Sequence, residues 1–463
     1  VTGIDRRRFL RQSAAAGGAL LAPSLMGLIA CADHQRKPRS SPPLRLALKG
    51  QGGYGELLPS KDVDGVISLP RGFHAAILST AGQEMMGGVV PHAFDGMAAY
   101  SAGSGLVRLV RNHELRDTPA RGAAPFGGNP YDDKGPGGTT TLEVRVHPDG
   151  RAELIKQFPS LTGTFANCAG GSTPWRTWIS CEETVEGKRA GWSRNHGYAF
   201  EVQVDSDGIT PAVPLRAMGR FEHEAVAVDP ETGFVYQTED RTPSGFYRYQ
   251  PKTFGRLAEG GELQILTIAG KPRYNTMRGQ QRFAPMKVEW VPIPEPDSDK
   301  DELESGFVFN QGLERGAAQF ARLEGCWYGD QSIFFNATIG GNAGAGQVWQ
   351  YHIGREELQL IFESPAPEVL NSPDNICVSP RGGLVICEDG EGVQHVRGLT
   401  PRGEIFDLVR NDLNDSEWCG ACFSPEGRTL FVNLQGETRP LRNPRGAKGL
   451  TFAIWGPWEE GAL

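Results

Sequence analysis

Apolar and polar positions alternate along this chain in short runs bounded by Gly, Pro and Asp, and long helical spacing is scarce. One run is organised most clearly. Asn167-Cys168-Ala169-Gly170-Gly171-Ser172 leads through Thr173-Pro174-Trp175 into Thr177-Trp178-Ile179-Ser180-Cys181-Glu182-Glu183. It predicts two antiparallel strands folded about Pro174-Trp175. Positions equidistant from the turn face each other, which brings Asn167-Cys168 beside Cys181-Glu182.

The pattern recurs. His223-Glu224-Ala225-Val226-Ala227-Val228 turns into a strand ending Thr238-Glu239-Asp240, and Asp374-Asn375-Ile376-Cys377-Val378 into one ending Cys387-Glu388-Asp389. Trp418-Cys419-Gly420-Ala421-Cys422-Phe423 returns as Leu430-Phe431-Val432-Asn433-Leu434-Gln435. Arg322-Leu323-Glu324-Gly325-Cys326-Trp327 with Ile333-Phe334-Phe335-Asn336 is a looser relative, and Leu106-Val107-Arg108-Leu109-Val110 runs into Arg111-Asn112-His113-Glu114. Spacing is irregular, but hairpins of this kind repeated around an axis are the units of a β-propeller. The reading is an all-β propeller over residues 45–463, with long inserted loops near 251–262 and 295–304.

Composition sharpens this. The 61 glycines and 33 prolines favour many turns, and a net charge of −8 argues against a nucleic-acid binder. Eight cysteines are too sparse for a disulfide scaffold. At the N-terminus, Arg6-Arg7-Arg8-Phe9-Leu10-Arg11 matches the bacterial twin-arginine export pattern. The apolar stretch behind it is too interrupted, by Gly17, Gly18, Pro23 and Gly27, for a membrane span. Residues 1–31 are therefore read as a signal peptide and 32–44 as a polar tether. Leu28-Ile29-Ala30-Cys31 resembles a lipobox, which makes Cys31 the lipidated residue; plain cleavage after Ala30 or Ala32 is the alternative. The expected location is outside the cytoplasm, periplasmic or lipid-anchored to the membrane on its periplasmic side, with the twin-arginine machinery as a partner. That route carries folded proteins, which suits one that loads metal before leaving.

Polar residues occupy the same two places in successive hairpins. Propeller geometry aims Asn167, Cys168, Glu182, Glu183, His223, Glu224, Glu239, Asp240, Asp374, Asn375, Glu388 and Asp389 at one end of the channel, with Glu114 and Glu324 as further candidates. So many carboxylates cannot stay ionised together without cations. Carboxylates suit calcium and a thiolate suits a softer metal such as iron, so the mixture predicts more than one metal. A single Glu-Glu doublet after a strand is usually solvated surface; recurrence at equivalent places is what separates this set. Cys168/Cys181 and Cys377/Cys387 face each other across their turns and allow disulfides, the first of which would remove Cys168 as a ligand. Cys419-x-x-Cys422 has metal or redox spacing but no second pair.

Arg111-Asn112-His113-Glu114, Asn167-Cys168-Ala169-Gly170-Gly171-Ser172-Thr173-Pro174-Trp175, Cys181-Glu182-Glu183, Phe221-Glu222-His223-Glu224, Arg322-Leu323-Glu324-Gly325, Asp374-Asn375 and Glu388-Asp389-Gly390 resemble the motifs of the PhoX-type alkaline phosphatases, from about Gly50 onward. The resemblance implies a six-bladed propeller and a cofactor of ferric iron and calcium around a bridging oxo group. Cys168 would be the thiolate shared by the irons, and Glu114, Glu182, Glu183, Glu224, Glu239, Glu324 and Glu388 the carboxylate ligands. It departs from the pattern at Arg176, where a small residue is expected, and at Leu323, where proline is expected.

The expected reaction is hydrolysis of phosphomonoesters, with metals binding the phosphate oxygens and supplying an oxygen nucleophile for in-line attack. Arg322 is read as a bidentate phosphoryl contact or a structural ion pair, and Asn375 as a second substrate contact. The run Gly340-Gly341-Asn342-Ala343-Gly344-Ala345-Gly346 is read as lining the site with backbone donors or as a tight loop. The alternatives are a calcium-dependent propeller hydrolase of a lactone or phosphodiester, and a lipid-anchored propeller that binds partners without catalysis.

Overall fold

The computed structural model describes residues 53–300 and 306–463; the export motif, Cys31 and the tether lie outside the described residues. Six antiparallel blades stand around one axis. Their inner strands are Phe94–Gly103, Asn167–Ser172, His223–Val228, Leu323–Gly329, Pro373–Val378 and Trp418–Phe423 for blades 1 to 6 in chain order. Each inner strand packs beside the next, and Trp418–Phe423 packs beside Phe94–Gly103, which closes the circle. The hairpins read in the sequence are the two inner strands of blades 2 to 6.

Two sheets extend beyond a simple blade; in one of them blade 5 adds Ile67–Pro70 and Leu57–Pro59 outside Ile405–Asn411. Met286–Pro292 pairs with Gly261–Ile268 of blade 3 and Glu357–Glu363 of blade 4, joining the two into one sheet. Blade 6 takes its outermost strand, His74–Thr80, from the other end of the chain, paired to Leu450–Trp455. Among the described residues one α-helix, Phe307–Glu314, interrupts the β-structure, and no helix is long and apolar enough to cross a membrane.

Between blades the cores are apolar, as strands covered on both faces require. Tyr100 and Val110 of blade 1 meet Trp178 and Phe200 of blade 2, and Phe246 of blade 3 stacks on Phe335 of blade 4 with ring centroids 4.2 Å apart. Trp327 lines both the narrow cavity between the inner strands and the pocket at the far mouth, so its indole separates the two.

One irregularity is shared by all six blades. Each inner strand slips register against its neighbour within its first few residues, between Phe94 and Met97, Asn167 and Gly170, His223 and Val226, Leu323 and Cys326, Pro373 and Ile376, and Cys419 and Cys422. A bulge of this kind bends the strand and re-aims a side chain. Small residues sit there because neighbouring blades nearly touch: a Cβ on Gly96 would lie 2.6 Å from Ala169 Cα, and one on Gly325 would lie 2.5 Å from the Asp374 carbonyl oxygen.

Candidate functional site

The second residue of each inner strand is Asp95, Cys168, Glu224, Glu324, Asp374 or Cys419, one per blade. The bulges turn the first five toward the axis at one end of the channel, while Cys419, still paired with Asn433, stands just before its bulge and within reach of Asp95 and Glu417. The residues that follow the second strand of a blade, Glu114, Glu183, Asp240, Asp389 and Gln435, add an outer tier. Four overlapping groups result: Glu114, Cys168 and Glu183; Glu224, Glu324 and Asp374; Asp374, Asp389 and Glu417; and Asp95, Glu417 and Cys419, the donor atoms of each lying within 4.8 Å of one another.

Strand alternation decides which member of each acidic doublet joins. Asn167 pairs with Glu182, His223 with Glu239 and Pro373 with Glu388, so these three glutamates share the side of the first inner-strand residue. The next residue points the other way, toward the axis. Glu183, Asp240 and Asp389 are therefore in the site, whereas the structure turns Glu182, Glu239 and Glu388 into their blades. There they hold the start of the third strand or the loop beside it. Glu182 accepts hydrogen bonds from the N–H groups of Phe165 and Gly197 at 2.9 and 2.8 Å and lies 2.6 Å from His196 Nδ1. Glu239 accepts from Gly245 N–H at 3.0 Å and the Tyr247 hydroxyl at 2.8 Å. Glu388 accepts from the N–H groups of Asn371 and His395 at 2.9 Å each and from Arg397 Nε at 2.8 Å. The ligand set read from the sequence is corrected accordingly.

Asp95 and the Glu417–Cys419 pair were missed. Asp95 stands in Phe94-Asp95-Gly96, an inner-strand start like the others but without an acidic doublet opposite it. Cys419 stands where Cys168 does, at the second place of its strand. That equivalence, rather than its spacing from Cys422, was the available signal.

The described cysteines are all free, so neither Cys168/Cys181 nor Cys377/Cys387 is bridged. Asn112 fixes the backbone around Cys168 by donating to the carbonyls of Cys168 and Ala169 at 3.1 and 2.7 Å, while its own carbonyl accepts from Trp178 Nε1 and Ser180 Oγ at 2.9 Å each. The motif Arg111-Asn112-His113-Glu114 thus supplies one ring carboxylate and the support for the ring thiol.

Two arginines cover the acids. Arg116 pairs with Glu114 and Glu183. Arg322 forks onto Asp240 through Nε and Nη2 at 2.8 Å each and reaches Glu324 at 2.8 Å. Arg322 lies in the left-handed region (φ 50°), as do Ala93, Ala166 and Ser372 before the inner strands of blades 1, 2 and 5. For an arginine this conformation is uncommon and costs about 1 kcal/mol or more. Asn375, read as a substrate contact, is otherwise engaged: its amide donates to Asp374 at 2.9 Å and its carbonyl accepts from Gly420 N–H at 2.7 Å, so it ties blade 5 to blade 6. In the glycine run, the N–H groups of Gly340, Gly341, Asn342, Gly344 and Gly346 all have partners within the fold, which makes it a tight loop. Arg176 lies in the turn at the far end of blade 2 on Asp205, and Leu323 is buried at the start of its strand, so neither departure touches the site.

The electrostatics calls for cations. Both carboxylate oxygens of Glu224 and one of Asp95 are buried without a hydrogen-bond partner. Burial first, then neighbouring carboxylates, push Asp95, Glu183, Glu224, Glu324 and Glu417 well above the usual carboxylate range, and burial with Asp389 raises Asp374 to about 8. Burial and Asp95 likewise raise the Cys168 thiol. Hard oxygen donors around two buried thiols, Cys168 and Cys419, fit bound metal ions better than any arrangement of protons.

The sign of the pH effect follows. A carboxyl raised from 3.8 to about 8, as at Asp374, contributes stability that is full below its unfolded value and lost as pH rises through the folded one. Chelator-treated protein is therefore expected to melt progressively lower between about pH 4 and 8, by roughly 5 °C or more, whereas loaded protein holds its melting point because cations replace the protons. Parallel melting curves for the two forms across that range would show that the ring does not bind metal.

The family comparison agrees with this geometry. Residues 52–437 match the model of the alkaline phosphatase PhoX family. The chain belongs to the PhoX alkaline phosphatase family. Members of that family are metal-dependent phosphatases, so the enzyme is a phosphoric monoester hydrolase acting on phosphate esters. Among solved structures, PhoX from Pseudomonas fluorescens in complex with vanadate, a transition-state analogue, matches with a TM-score of 0.65 and 17% identity over 89% of this chain and 99% of that one. It supports the fold. A gluconolactonase from Xanthomonas campestris matches with a TM-score of 0.42 and 14% identity over 87% of this chain and 98% of that one. At that level it carries no argument about function. No curated protein matches the chain.

Proposed function

We propose that the protein is an exported PhoX-type phosphomonoesterase whose cofactor combines iron and calcium. One observation carries the reading: a free, buried Cys168 shares its pocket with Glu114 and Glu183, beside an Asp95 with one oxygen and a Glu224 with both oxygens left without a partner. Six blades contribute, so a site of several ions is a better fit than one ion. Cys168, Glu114, Glu183, Asp95, Glu224, Glu324, Asp374, Asp389, Glu417 and Cys419 are the proposed donors. Cys168 and Cys419 would favour iron, and the carboxylate groups away from them calcium. When bound, such ions supply Lewis acidity to the phosphoryl oxygens and activate the attacking water.

The chain's own residues do the rest. Arg322 is 36% exposed while Asp240 and Glu324 beneath it are 10% and 6% exposed, so an incoming phosphate meets the guanidinium first. No bond among the described residues uses its Nη1, which leaves donors for a phosphoryl oxygen. Asn375 positions Asp374, and Asn112 positions Cys168. Trp327 shuts the channel behind, which keeps the ions in a pocket open at one mouth.

Export by the twin-arginine route and acylation of Cys31 belong to the same proposal and rest on the motif at residues 6–11 and on Leu28-Ile29-Ala30-Cys31. Palmitate labelling that survives a Cys31→Ala change would show that Cys31 is not the acylated residue. For the activity, the exported protein is analysed for iron and calcium per chain and assayed on p-nitrophenyl phosphate with and without chelator. Both metals with chelator-sensitive turnover are expected. Calcium without iron would point to hydrolysis of another ester, and metal without turnover to a binding protein.

A further inference from the structure

The second strand of blade 6, Thr429–Leu434, does not return directly to the third, Leu450–Trp455. Between them Gln435 enters the site, donating to Glu114 at 2.6 Å and to Asp95 at 3.2 Å, and residues 436–448 then form a loop on the same rim. Its sequence is Gly-Glu-Thr-Arg-Pro-Leu-Arg-Asn-Pro-Arg-Gly-Ala-Lys. Arg439, Arg442, Arg445 and Lys448 face one acid, Glu437, in a protein of net charge −8. The family match ends at residue 437, so this loop is argued on its own residues.

The loop is held in shape. Glu437 N–H bonds the Ala447 carbonyl at 2.8 Å, the N–H groups of Arg442 and Asn443 share the Arg439 carbonyl at 2.9 Å each, and the Asn443 amide bonds Glu437 at 2.6 Å. Pro440 and Pro444 restrict it further. It is also fastened to the site: Arg116, which pairs with Glu114 and Glu183, donates its N–H to the Thr438 carbonyl at 2.8 Å, and Leu441 N–H bonds Asp117 at 2.8 Å.

What the loop does not do is neutralise its own cations. All four basic side chains are exposed, and among the described residues none of them makes a hydrogen bond or an ion pair. Four unpaired cations on a loop fastened beside a carboxylate-lined pocket offset the repulsion that an acidic protein exerts on an anion, and they favour ligands with charge to spare beyond the phosphoryl group.

We propose that this loop binds a second anionic group on the leaving-group side of the substrate, so that the enzyme prefers phosphate esters bearing a further phosphate or carboxylate. The inference rests on the phosphomonoesterase reading. The test compares the metal-loaded wild type with the variant R439Q/R442Q/R445Q/K448Q on fructose 1,6-bisphosphate and on p-nitrophenyl phosphate, whose leaving group has no anionic substituent. The variant is expected to lose about ten-fold or more in kcat/KM on the bisphosphate and only about two-fold on the aryl ester, through steering alone. About 1 M salt is expected to erase most of the difference. Equal losses on both esters, or no loss on either, would overturn the proposal. If the wild type turned over neither ester, the phosphatase reading would fail instead. The loop is then read by calorimetric titration of methylenebisphosphonate against inorganic phosphate: tighter bisphosphonate binding by the wild type but not the variant upholds the proposal, and no difference between the two proteins sinks it.

Discussion

Cys168→Ser is expected to lose iron and to lose activity on p-nitrophenyl phosphate by about a thousand-fold or more, the scale on which removal of an essential reacting centre is felt. The side chain is nearly isosteric, so the backbone that Asn112 holds, through the carbonyls of Cys168 and Ala169, stays in place. What changes is the donor. A thiolate is a soft, charged ligand, and an alcohol in the same place is neither. The thiol is buried and raised by Asp95, so it is protonated until a cation displaces the proton. Iron content measured beside calcium content decides the matter. A serine variant that keeps both iron and turnover would refute the role given to the sulfur, and one that keeps turnover on calcium alone would favour hydrolysis of another ester.

Arg322→Lys is expected to lower kcat/KM by about a hundred-fold, because a single ammonium cannot present parallel donors to Asp240 and still reach a phosphoryl oxygen. The readouts separate the two roles open to this residue. If Arg322 serves the substrate, metal content and melting temperature stay close to the wild type and inhibition by inorganic phosphate weakens. If it serves only as an ion pair for Asp240 and Glu324, the melting temperature and metal content fall, and inhibition by phosphate per loaded site is unchanged. Its left-handed backbone does not decide between them, because Ala93, Ala166 and Ser372 enter their inner strands in the same conformation.

The propeller was legible because its hairpins carry their turns and their polar ends in plain sight, and the convergence of those ends followed from pairing alone. Side-chain direction was harder. Glu182 and Glu183 look alike in a sequence, and only the register Asn167↔Glu182 shows that one faces the axis and the other faces His196. Glu239 and Glu388 went astray for the same reason: each stands one residue before the aspartate that enters the site. Asp95 and Cys419 escaped notice because their second strands end in His113 and Leu434 rather than in an acidic doublet. The recurring bulge would have exposed Asp95, but a bulge is a property of two paired strands and cannot be read from either one. Asn375 shows the converse limit, where a polar residue at the right place is occupied in joining two blades.

Blade 6 borrows its outermost strand, His74–Thr80, from the start of the described chain and pairs it with Leu450–Trp455 near its end. The pocket therefore cannot exist on the ribosome while the last blade is still being made. If the ring holds cations, as proposed, they are held in full only once Trp418–Phe423 has been made and has packed beside Phe94–Gly103. Ion uptake would then report that strands made early and late in the described chain have come together.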